Sequence, residues 1–91
     1  MRDDTSDAAT VLERCDILAA FSEDSEALTR RFATDALRLA GEAVAEWMRA
    51  AGMTVRRDAI GNVIGRREAV RDGAPTLLLG SHLDTVHDAG R

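Results

Sequence analysis

The stretch Pro75-Thr76-Leu77-Leu78-Leu79-Gly80-Ser81-His82-Leu83-Asp84-Thr85 constrains the fold more than any other part of this chain. Thr76 to Gly80 is apolar without alternation, the pattern of a short strand covered on both faces, as in a parallel sheet flanked by helices. Polarity then changes abruptly at Ser81, His82, Asp84 and Thr85. In open α/β sheets, ligands and chemistry gather at the carboxyl ends of the strands. On extended backbone, His82 and Asp84 lie two positions apart and project to the same face. The expectation is therefore a buried strand that delivers an imidazole and a carboxylate to one edge of a sheet.

Composition narrows the function classes. A chain of 91 residues suffices for one small domain and buries only roughly two-thirds of its unfolded surface, so a self-sufficient core is marginal. No apolar run approaches the ~20 residues of a membrane-spanning helix. The acidic start, Met1 to Asp7, has no apolar segment behind it and is no secretory signal, so a cytoplasmic location is expected. Net charge is −4, and the arginine pairs Arg30-Arg31, Arg56-Arg57 and Arg66-Arg67 make no basic face for nucleic acid. All 12 basic residues are arginine, which excludes a Schiff-base lysine and a phosphate-loop lysine. Cys15 is the single cysteine; it permits no internal disulfide and no cysteine-rich zinc site, and is expected to be a small buried hydrophobe.

The spacing predicts a first helix from about Ser6 to Ala20, with Ser6 as N-cap and Val11, Leu12, Cys15, Leu18 and Ala19 on one packing face. Phe21 to Arg31 reads as a polar connector whose acidic run is a solvated loop or a helix start. Leu37, Ala40, Gly41, Val44, Trp47, Met48 and Ala51 carry a helical period over several turns. Thr34 or Asp35 suits the start of this helix and Gly52 its C′ position. Met53–Asp58 and Asn62–Arg67 read as two strands of an antiparallel hairpin, with Gly61 in the turn. Glu68 to Ala74 is a charged turn before Pro75. The expected order is helix, helix, strand, strand, loop, buried strand, an α/β arrangement. The chain stops at His87-Asp88-Ala89-Gly90-Arg91, straight after its polar cluster, as a piece of a larger domain would.

Alone, the His82-x-Asp84 pair supports two readings. One is a histidine hydrogen-bonded to a carboxylate at a strand end, with no chemistry. The other is a metal ligand whose second ring nitrogen is held by an orienting carboxylate. A catalytic zinc needs about three protein ligands and an open position for water. His87 and Asp88 lie on the following loop, and the donors in this chain are too few. A triad of Ser81, His82 and Asp84 is rejected: adjacent side chains on a strand face opposite ways, and no Gly-x-Ser-x-Gly elbow occurs.

Gly80-Ser81-His82-Leu83-Asp84-Thr85-Val86, followed by Asp88-Ala89-Gly90-Arg91, resembles the first metal-binding segment of metal-dependent amidohydrolases of the aminoacylase and carboxypeptidase-like metallopeptidase superfamily. Leu28-Thr29-Arg30-Arg31-Phe32, Glu46 to Val55 and Asp58 to Arg66 agree with it, most closely with the branch of allantoate amidohydrolases and N-carbamoyl-L-amino-acid hydrolases. The Leu28-Thr29-Arg30 and Trp47-Met48 to Ala51-Gly52-Met53 forms are more similar to the allantoate enzymes.

The resemblance implies that residues 1–91 are the N-terminal part of a zinc-exopeptidase-like catalytic domain. It implies His82 as first ligand of a site for two divalent ions, zinc or manganese, and Asp84 as the catalytic carboxylate that orients it. The general base, the other ligands and a small lid domain for homodimerisation would lie beyond Arg91. The implied activity is hydrolysis of a linear amide or ureido C–N bond in a small molecule. Allantoate is the first substrate and an N-carbamoyl-L-amino acid the alternative, the 91 residues alone being inactive. A rival from another class is a non-catalytic binding or regulatory domain that shares the sheet.

Overall fold

The computed structural model describes residues 4–90, with side chains from Ser6 onward. Its elements run α1 (Asp4–Ala19), α2 (Asp35–Ala50), β1 (Thr54–Arg57) and β2 (Val63–Arg66). The expected sequence of two helices followed by two strands is therefore present.

Helix α2 forms where its spacing and caps demand it. Thr34 has extended backbone, and its Oγ1 accepts the Leu37 N–H at 3.2 Å, satisfying one of the orphan donors of the first turn. At the other end Gly52 takes φ +90°. Its N–H donates to the Arg49 carbonyl at 2.9 Å and the Met53 N–H to that of Met48 at 3.0 Å, a Schellman closure that a left-handed glycine permits. The helix buries Ala40, Gly41 and Ala45 and half-buries Leu37, Val44, Trp47 and Met48.

The hairpin pairs antiparallel, with Thr54 opposite Arg66, Val55 opposite Gly65, Arg56 opposite Ile64 and Arg57 opposite Val63. Its connection turns on Gly61 at φ +94°. The Asp58 carboxylate holds the loop, accepting the Ile60 and Asn62 N–H groups on Oδ1 and the Asn62 side-chain amide on Oδ2. These bonds, led by the Asn62 side chain, lower the Asp58 pKa. Helix α2 lies across both strands. Gly65 lets it approach: a Cβ there would stand 2.7 Å from Met48 Sδ and 2.9 Å from Met53 Sδ.

Three expectations are corrected. Helix α1 starts at Asp4, so Ser6 lies inside it rather than capping it, and the Ser6 carbonyl accepts the Thr10 hydroxyl at 3.0 Å. The predicted packing face of α1 is mostly open, with Val11, Leu12 and Cys15 exposed and only Leu18 and Ala19 half-buried. The apolar stripe has no layer against it among the described residues. Arg14, whose guanidinium sits 5.0 Å from the Trp47 ring centre, makes the aromatic contact to α2. Cys15 is accordingly not a core residue.

The third correction concerns the opening stretch. Thr76 to Gly80 is not a strand, and Leu77, Leu78 and Leu79 are 83%, 88% and 83% exposed. A continuous apolar strand is stable only with pairing partners at its edges and layers on both faces. Among the described residues the only sheet is β1–β2, and it does not extend to this segment. The core is correspondingly thin: no large side chain is fully buried among the described residues. The Cα radius of gyration is 15.1 Å, against about 12 Å for a compact domain of this length.

Candidate metal-binding segment

Residues 82–89 are held in place from the connector between the helices. Ser22 organises that connector: its Oγ donates to the Ala27 carbonyl at 2.6 Å and accepts the N–H groups of Asp24 and Thr29 at 3.1 and 2.9 Å. The Glu23 N–H adds a 2.7 Å bond to the Thr29 carbonyl. The acidic run, expected to be a solvated loop or a helix start, is a solvated loop with an ordered turn. Outside it, Arg31 closes on Glu23 with Nη2 to Oε1 at 2.7 Å and Nε to Oε2 at 3.1 Å. Hydrogen bonds from Arg31 hold the Glu23 carboxyl down at about 2, and the same pairing raises the Arg31 guanidinium.

Thr29 and Arg30, both buried, form the face that receives the later segment. The Arg30 N–H donates to Thr85 Oγ1 at 2.8 Å, and the Thr85 N–H returns a bond to the Arg30 carbonyl at 2.7 Å. Thr29 Oγ1 accepts the Asp88 N–H at 2.9 Å and lies 3.3 Å from His87 Nδ1. The Ala89 N–H donates to the Leu28 carbonyl at 2.8 Å. The Arg30 guanidinium completes the junction, with Nε on the Leu83 carbonyl at 2.9 Å and Nη1 on the carbonyls of Leu18 and Phe21. Burial lowers its pKa, yet an arginine keeps its charge at any physiological pH.

His82 and Asp84 flank Leu83, the residue gripped by Arg30. The sequence expectation that they adjoin holds, although the backbone is not a strand. His82 Nδ1 lies 2.8 Å from the Asp84 main-chain oxygen and 3.3 Å from Asp84 Oδ1. A carbonyl can only accept, so Nδ1 carries the proton and the lone pair falls on Nε2. The His82 side chain is 82% exposed and that of Asp84 50%. Both border an open groove of about 500 Å³ whose apolar wall includes Phe32, Leu37, Val44 and Ile60.

The donor set is incomplete for a metal. His82 presents a free Nε2 lone pair and a ring held at Nδ1, which suits one ligand. Among the described residues, no group of three His, Cys, Asp or Glu side chains converges on a common point. His87, on the same loop, turns Nδ1 to Thr29 rather than toward His82. Sequence reasoning missed Thr29 and Arg30 as builders of this segment. The tripeptide Leu28-Thr29-Arg30 stood out by resemblance, but nothing local marks its arginine as buried.

Comparison with known proteins finds relatives over part of the chain. The chain is 48% identical over 48 residues to an N-carbamoyl-L-amino-acid amidohydrolase of Pseudomonas sp. (strain NS671), covering 53% of this chain and 12% of that protein. It is 44% identical over 68 residues to the Geobacillus stearothermophilus N-carbamoyl-L-amino acid amidohydrolase, 75% of this chain and 17% of the relative. Allantoate deiminase 1 of Glycine max is 41% identical over 73 residues, 80% of this chain and 15% of that protein. The chain spans less than a fifth of the length of these curated relatives. No protein-family model matches it, and no solved structure does. Over the matched residues, the chain belongs to the amidohydrolase branch that contains the N-carbamoyl-L-amino-acid amidohydrolases and the allantoate deiminases.

Proposed function

We propose that this chain supplies the first ligand segment of a metal-dependent amidohydrolase that cleaves a linear amide or ureido C–N bond. One observation carries the reading: His82 is pinned at Nδ1 by Asp84, and its Nε2 lone pair stays free on an exposed loop beside a groove.

In this reading His82 holds one divalent ion through Nε2. Asp84 fixes the tautomer through its carbonyl, and its carboxylate stands 3.3 Å from the same ring nitrogen. Such an ion would polarise the scissile carbonyl and activate water. The further ligands and the proton-shuttling base are not among the described residues, so the isolated chain should be inactive. Ions in pairs, zinc or manganese, and a homodimer are the accompanying proposals from the family resemblance.

Allantoate is the proposed substrate, on the Leu28-Thr29-Arg30 and Trp47-Met48 forms. The 48% and 44% identities to N-carbamoyl-L-amino-acid amidohydrolases favour the second reading, an N-carbamoyl-L-amino acid. Ammonia release from allantoate by the full-length protein, beside cleavage of carbamoyl amino acids, separates them. Cleavage of the carbamoyl compounds alone overturns the first substrate; turnover of neither, with metal supplied, overturns the amidohydrolase reading.

A further inference from the structure

We propose that Arg30 is the positioning residue of the His82 loop, holding the candidate ligand in place through the main chain on its C-terminal side. The inference rests on the metal-ligand reading of His82.

Arg30 is 4% exposed, and the hydrogen bonds of its guanidinium all go to main-chain carbonyls. Burying a guanidinium is costly unless its donors are met. A residue present only to fill that space would be apolar. What the guanidinium adds is reach in two directions. Nη1 ties to Leu18 and Phe21, where α1 ends, while Nε ties to Leu83, between His82 and Asp84. The planar fork fixes these carbonyls in one geometry, which the rotating point charge of lysine cannot do.

The backbone of Arg30 extends the grip by exchanging two hydrogen bonds with Thr85. Thr85 Oγ1 in turn donates to the Val86 carbonyl at 2.8 Å, so its hydroxyl both accepts and donates. His82 itself is highly exposed and gains little orientation from packing. Its placement therefore depends on Leu83 and Thr85, and theirs on Arg30. A ligand held about 1 Å out of place loses much of its function.

The test uses the full-length protein with Zn²⁺ as probe. Zn²⁺ affinity is read by chelator competition and amide exchange is followed at Thr85 and along α2, in wild type, His82→Ala and Arg30→Lys. His82→Ala should lose a large part of the affinity. Arg30→Lys should weaken Zn²⁺ by about 10–100-fold, as loss of an orienting partner does. It should also speed exchange at Thr85 while leaving the α2 amides unchanged. Arg30→Gln, which removes the buried charge, takes its place if Arg30→Lys does not fold.

Unchanged Zn²⁺ affinity in the Arg30 variant overturns the proposal, and so does exchange that quickens equally along α2. Failure of both variants to fold makes Arg30 a folding residue and overturns it too. If His82→Ala binds Zn²⁺ as wild type does, the ligand reading falls and the role of Arg30 falls with it. The two failures are thereby distinguished.

Discussion

Thr29 Oγ1 accepts the Asp88 N–H at 2.9 Å, joining residues 59 apart in sequence across the seam between the inter-helix connector and the His82 loop. Thr29 is 3% exposed, and its N–H is itself capped by Ser22. Thr29→Val keeps the shape but leaves the Asp88 N–H without its acceptor. An unsatisfied part-buried donor costs about 1–3 kcal/mol, and the exposure of Asp88 favours the lower end. Thr29→Ser should recover most of the loss. Chemical denaturation of the three forms checks this, with equal midpoints counting against the hydrogen bond.

The Glu23–Arg31 pair sets an acid dependence. The Glu23 carboxyl is lowered from 4.5 to about 2, chiefly by hydrogen bonds from Arg31. A carboxyl depressed on folding stabilises the native state above its unfolded pKa and loses that contribution as pH falls through its folded value. The stability of wild type and Glu23→Gln should therefore differ above about pH 4.5 and converge by about pH 2. Solvent exposure of the pair keeps the difference small and sensitive to salt. A gap that widens toward pH 2 would exclude this pairing as its source.

Gly65 is a position where α2 and the hairpin meet closely. An added Cβ would stand 2.7 Å from Met48 Sδ, 2.9 Å from Met53 Sδ and 3.2 Å from Met48 Cγ. Methionine chains can shift, but two must move together inside a thin core. Gly65→Ala should cost about 1–3 kcal/mol as an overpacking change. Met48→Ala in the same chain should relieve the clash, so that the double variant loses less than the sum of the singles. Strict additivity in thermal unfolding would count against direct contact.

The elements that sequence disclosed are those whose signals are local. Helix α2 was legible because its period, the Thr34 cap and Gly52 lie within one run of residues. The hairpin was legible because Gly61 and Asp58 build its turn from within. Where burial depends on what lies opposite, the reading failed. The apolar spacing of Val11, Leu12 and Cys15 foretold a packed face, and Leu77 to Leu79 foretold a covered strand. Neither has a facing layer among the described residues. The nearness of His82 and Asp84 followed from a spacing of two and survived the loss of the strand. Arg30 stayed hidden because its partners, the carbonyls of Leu18, Phe21 and Leu83, are main-chain atoms. Such groups leave no mark in a sequence.

His82 and Asp84 divide their work unequally, and substitution should show it. His82→Ala in the full-length protein removes the only nitrogen proposed to face the metal. It should lower metal content and activity together while leaving the fold intact, since the ring is 82% exposed and little packing is lost. Asp84→Asn removes the carboxylate but retains the main-chain oxygen that accepts from Nδ1 at 2.8 Å. The ring should keep its tautomer and some metal, and the rate should fall toward the lower end of the about 10–100-fold typical for an orienting partner. Metal analysis beside turnover decides between these roles. Full occupancy in His82→Ala would show that the imidazole is not a ligand. Complete loss of metal in Asp84→Asn would show instead that the carboxylate binds the ion directly, with its carbonyl bond to His82 incidental.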